Sequence, residues 1–126
     1  MNAEVLDIGY KIGSNPVILG VHYDLASLVI PYDTDFDGIE LDIIFDNPRG
    51  FRCLDEGDLL NYWENDFLVK NWMFEIKSGG WMDQESQGGG FLSKELGFKE
   101  FMICGVDYCV NILSSSQPIV KLRKAA

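Results

Sequence analysis

Apolar and polar residues alternate with a period of two along most of the chain, the pattern of strands that bury one face. The cleanest run is Ile39, Leu41, Ile43 and Phe45, interleaved with Glu40, Asp42 and Asp46. Leu6, Ile8, Tyr10 and Ile12 alternate with Asp7, Gly9, Lys11 and Gly13 and predict a first strand, closed by a turn over Gly13–Pro16. Val17–Tyr23 and Ser27–Tyr32 predict a second and a third. Pro31 lacks an amide hydrogen, which places the third strand at a sheet edge or a strand end. Trp72, Phe74 and Ile76 alternate with Met73, Glu75 and Lys77 in a further strand that stops at Gly79-Gly80. Glu100–Cys104 and Tyr108–Leu113 predict a hairpin about Gly105–Asp107, and Pro118–Val120 a last short edge strand.

Arg49–Asp66 is the stretch where the period changes. Phe51 and Cys53 alternate with Arg52 and Leu54, as in a strand; Leu59, Leu60 and Trp63 then recur at helical spacing. Asp55 is expected to cap that helix, since its carboxylate can accept first-turn amides, with Glu56 and Asp58 at the positive end of the helix dipole. Trp81–Gly90 reads as a polar, glycine-rich loop carrying a lone tryptophan, followed by Phe91 and Leu92 returning to the core. The expected fold is α+β: a mostly antiparallel sheet of six to eight short strands with one or two short helices. Residues 1–120 form a single acidic globular domain and residues 121–126 a frayed basic C-terminal tail.

Composition narrows the functional classes. The formal net charge is −10, the opposite of what phosphate backbones attract, so nucleic acid is excluded as a general partner and a basic partner is favoured. The sequence holds no long apolar run for a membrane span, and Met1 is followed by Asn2, Ala3 and Glu4 rather than a basic and apolar leader. The three cysteines, Cys53, Cys104 and Cys109, lack metal-type spacing and read as reduced thiols of a cytoplasmic protein. Cys104 and Cys109 flank the hairpin turn and could face each other, with a disulfide the weaker reading.

Candidate chemistry is sparse. Asp33-x-Asp35-x-Asp37-Gly38 matches the start of a calcium loop, but its twelfth position is Ile44 where a bidentate glutamate is needed, and a strand follows instead of a helix. A calcium-binding module on Asp33, Asp35 and Asp37 is therefore the alternative to an acidic turn, and the expectation is no metal and no cofactor. His22 is the only histidine and falls in a strand pattern, where a satisfied structural role is the commoner case; a small hydrolase using it with a carboxylate is a further possibility. Gly88-Gly89-Gly90 opens no helix and is no phosphate loop. Acidic residues dominate instead: Asp33, Asp35, Asp37, Glu40, Asp42 and Asp46 follow one another without a base among them, and Asp55, Glu56, Asp58, Glu64 and Asp66 form a second group. Each group is a solvated face or a binding surface, and Trp81 is a core plug or an interface anchor.

Three segments, Phe51–Trp63 (FRCLDEGDLLNYW), Ser78–Ser86 (SGGWMDQES) and Cys109–Val120 (CVNILSSSQPIV), together resemble small immunity proteins of bacterial polymorphic toxin systems, of which contact-dependent growth inhibition is the best-known setting. The resemblance implies a cytoplasmic protein that is not an enzyme, has no catalytic residue, and binds a cognate toxin C-terminal domain. It fits the acidic charge, because a nuclease-type toxin carries a basic surface that such a protein would cover. The expected partner-binding residues are Asp33, Asp35, Asp37, Glu40, Asp42, Glu56, Asp58, Trp81 and Glu85.

Overall fold

The computed structural model describes residues 1–55 and 71–124. Ten strands run in chain order through these residues: β1 (Asn2–Val5), β2 (Val17–Ile18), β3 (His22–Tyr23), β4 (Ser27–Asp33), β5 (Glu40–Asp46), β6 (Gly50–Asp55), β7 (Met73–Ser78), β8 (Lys99–Cys104), β9 (Tyr108–Ser114) and β10 (Ile119–Lys124). One helix, α1 (Trp81–Gln87), stands between β7 and β8. The strands form two sheets. The first has the order β1-β7-β8-β9-β6; the second has the order β10-β5-β4-β2, with β3 also paired to β4. Every pairing is antiparallel.

Alternation decides which side of each strand meets the other sheet. Leu41, Ile43 and Phe45 of β5 and Leu28, Ile30 and Tyr32 of β4 are wholly buried, while Glu40, Asp42 and Ile44 between them are only half-buried. From the first sheet, Met73, Phe101, Ile103, Val110 and Ile112 meet them in one inter-sheet core. The Phe45 and Phe101 rings pack across it with centroids 5.4 Å apart. The Tyr32 hydroxyl crosses the same core and donates to the Cys104 carbonyl at 2.6 Å, which satisfies a polar group that water cannot reach. A second cluster, with Phe74, Ile76, Met102, Cys104 and Cys109, lies on the outer face of the first sheet, so its strands are apolar on both sides. This explains why β8 and β9 read as nearly continuous apolar runs.

The mostly antiparallel, strand-dominated architecture agrees with expectation, but the strands number ten, more than the six to eight expected. Part of the surplus comes from the N-terminal third. The Leu6–Ile12 alternation is not a strand: β1 ends at Val5, and the chain bends at Gly9, where φ is +77° and the Asp7 carboxylate accepts the Gly9 amide. Leu6, Ile8 and Ile12 still pack on the inter-sheet core, so the pattern there reported burial rather than pairing. Val17–Tyr23 is two short strands instead of one. The strand holding Pro31 is interior, not an edge. Its missing donor is harmless because the Pro31 carbonyl, accepting from the Leu19 amide, shows that this residue faces the gap between β2 and β3. Residues 121–124, expected to be a frayed tail, continue β10 along the edge of β5. The helix expected after Asp55 lies outside the described residues; Asp55 itself ends β6. Among the described residues no helix is long and apolar enough to cross a membrane.

Candidate functional site

The acidic hairpin β4–β5 collects five of the expected site residues. Asp33 and Glu40 stand opposite each other at its tip end, and Asp42 stands between Pro31 and Lys121 of β10. The tip is held by its own polar groups. Asp33 Oδ1 accepts the Asp35 amide at 2.9 Å, and the buried Thr34 hydroxyl donates to the Ile39 carbonyl at 2.8 Å. Asp35 and Asp37 both adopt positive φ, +56° and +54°, a conformation that aspartate tolerates better than most residues. Asp35 Oδ2 accepts the Asn15 amide at 2.8 Å, and Gly13 donates to the Thr34 carbonyl at 2.7 Å, so the Gly13–Asn15 segment straps the tip down. That contact requires glycine: a Cβ on Gly13 would lie 2.2 Å from the Asp35 carbonyl oxygen. The Asp33 and Asp35 carboxylates thus serve as turn acceptors. Among the described residues no three metal-ligating side chains converge, at this tip or elsewhere.

Register shows what surrounds these acids. Cross-strand partners share a face. Asp33, Glu40, Asp42 and Asp46 therefore project from the outer face of the second sheet, away from the core. On the same face Val29 stands opposite Ile44, and Ile44 opposite Ile119 of β10, giving an apolar row over three adjacent strands. His22 extends the row onto β3. The histidine is exposed in β3, at the rim of a groove of about 390 Å³ that also takes in Val29 and Asp24. The apolar row was legible only in pairs of strands, since no single strand shows it.

Trp81 and Glu85 are set apart from this group. Both lie on α1, not in a loop as expected, and the first amides of α1 are bound at the outer face of the first sheet, the face that carries Glu100 and Met102. Gly80 has no side chain with which to cap this helix. Glu100 of β8 does so from a distance: its buried carboxylate accepts the Met82 amide at 2.9 Å and the Trp81 amide at 3.2 Å. The Asn111 amide donates to the same carboxylate at 2.9 Å, and Arg52 Nε donates to Asn111 Oδ1 at 3.3 Å. The Arg52 guanidinium lies 5.2 Å from the Trp81 ring centroid, a cation–π distance. Burial pushes the Glu100 carboxyl up, outweighing the bonds from Met82, Asn111 and Trp81 and the charge of Arg52. Trp81 is half-buried beside a cleft of about 450 Å³ with Arg49, Phe51, Phe91 and Leu92. The described residues lining that cleft include one cation, Arg49, and aromatic and aliphatic side chains, with no carboxylate among them. Leu92, expected to return to the core, is 52% exposed.

The sequence offered no hint of the Glu100–Asn111–Arg52 network, whose members come from three strands. Glu56 and Asp58 lie outside the described residues. No family model, no curated protein and no solved structure matches this chain.

Proposed function

We propose that this chain is an immunity protein that binds a cognate toxin domain in the cytoplasm and neutralises it by covering its active site or substrate groove. The observation that carries the reading is the acidic concentration on the outer face of the second sheet, Asp33, Glu40, Asp42 and Asp46, with Asp35 and Asp37 in the adjoining turn, on a chain of net charge −10. A basic, nuclease-type domain would be steered onto such a face, and the carboxylates would occupy ground that it otherwise offers to phosphates. The likeness of three sequence segments to immunity proteins of polymorphic toxin systems supports the same reading. No chemical step is assigned to the chain, because inhibition of this kind needs only affinity.

The test is co-expression with the C-terminal domain of whatever protein the gene immediately upstream encodes. Protection of cells, together with a complex that survives size-exclusion chromatography, is expected. If the domain kills regardless and elutes separately, the reading is wrong.

A further inference from the structure

We infer that the outer face of the second sheet, centred on the row Val29–Ile44–Ile119, is the docking face, and that its occupant is a basic protein surface with an apolar centre. This rests on the immunity reading and narrows it to one of the surfaces the fold presents. A sheet face turned to water normally carries polar residues at its outward positions. Here three consecutive cross-strand positions are apolar instead, on β4, β5 and β10. Ile119 is 45% exposed, and Val29 and Ile44 are half-buried among the described residues. The rim supplies the charge. Asp46 lies beyond the row on one side and Asp42, Asp33 and Glu40 lie on the other; Lys121 and Lys124 of β10 stand in register with Asp42 and Glu40, which leaves the acids in excess.

An apolar centre within a charged rim is the usual anatomy of a specific interface: the centre supplies dissociation-resistant contacts and the rim supplies steering. The excess of carboxylates on this rim selects a basic partner. The cleft beside Trp81 selects against one, because Arg49 borders it and Arg52 covers the indole ring. The two surfaces lie on the outer faces of different sheets, so one flat partner surface does not reach both.

The experiment uses the full chain and the C-terminal domain of the protein encoded by the gene immediately upstream, in biolayer interferometry over a salt series. Ile119→Glu, on an edge strand where folding tolerates it, is expected to bind ~30-fold more weakly or worse, mainly through faster dissociation. Ile44→Thr, which keeps a β-branched side chain on the central strand, should weaken binding in the same direction; melting curves certify both folds. Asp42→Lys with Asp46→Lys should slow association and flatten its salt dependence. Leu92→Glu, at the Trp81 cleft, is expected to bind like wild type. If folded Ile119→Glu and Ile44→Thr bind like wild type, the docking face is wrong while the immunity reading stands. Loss of binding in Leu92→Glu alone would move the interface to the cleft and overturn the inference. Failure of the wild-type chain to bind the domain overturns the reading and this inference together.

Discussion

Glu100 offers the sharpest test of how the helix is held. Replacing it with alanine removes the acceptor for two helix amides and for Asn111, which is wholly buried. A buried donor left unpaired costs roughly 1–3 kcal/mol. The α1 amides can tilt toward water, whereas the Asn111 amide cannot, so Glu100→Ala should lose about 2–4 kcal/mol of stability. For a chain of this size that is a fall in Tm of roughly 6–15 °C. The pH dependence has a definite sign. The raised carboxyl means that the folded state holds this proton more tightly than the unfolded chain, whose value is the ordinary 4.5. The group's contribution is therefore fully present below that value and is lost as pH rises through the raised folded one. Glu75 acts in the opposite sense. Burial pushes its carboxyl up, but bonds from Lys77 and Gln117 and the charges of Lys77 and Lys99 outweigh that and hold it low, so its contribution is lost on acidification. Urea titrations of wild type and Glu100→Gln across pH 4 to 8, subtracted, isolate the Glu100 part. Glu100→Gln should remove the decline with rising pH while costing about 1–2 kcal/mol near neutrality, because its amide meets donors. If Glu100→Ala costs less than about 0.5 kcal/mol, within the range of ordinary surface changes, or if the subtracted curve is flat, the carboxylate does not hold α1 as described.

Tyr32→Phe deletes the hydroxyl that bonds the Cys104 carbonyl across the core, leaving that acceptor buried. Urea unfolding should show a loss of about 1–2 kcal/mol with an unchanged m-value. Cys53 is exposed while Cys104 and Cys109 are buried, and burial pushes the Cys104 thiol up. A thiol reagent should therefore titrate one group in the native protein and three after denaturation, with all three cysteines free. Millimolar calcium should leave Tm unchanged in calorimetry, since the Asp33 and Asp35 carboxylates bond turn amides. A saturable rise would instead make the hairpin tip a cation site.

Strands were legible where alternation had one cause. In β5 the buried residues Leu41, Ile43 and Phe45 meet a single core, and period two appears cleanly. Leu6, Ile8 and Ile12 gave the same signal because an irregular segment laid on a core also needs spaced apolar contacts. Periodicity reads burial, and pairing must be inferred from it. Pro31 misled for a related reason: a missing donor excludes a residue from continuous ladders, and here the neighbouring ladder is broken opposite it. Helix α1 was hidden because its N-terminal acceptor is eighteen or more residues away, at Glu100, instead of at a local capping side chain. The acids of the candidate site could be read directly from their density. The apolar row among them could not, since it exists only once β4, β5 and β10 are in register.

The interleaving of the two sheets bears on what happens if the backbone is cut. A break at Gly88–Gly90, just past α1, would leave β1 to β7 on one piece and β8 to β10 on the other. Neither piece holds a complete sheet. The second piece would slot β8 and β9 between β7 and β6 in one sheet and lay β10 against β5 in the other. Each fragment thus carries the template the other lacks, at three separate seams. Two such halves, produced apart, would be expected to find each other and complete the Val29–Ile44–Ile119 face only on reunion, since β10 and its Ile119 arrive with the second half. The architecture lends itself to a split reporter in which exposure of that face signals reassembly.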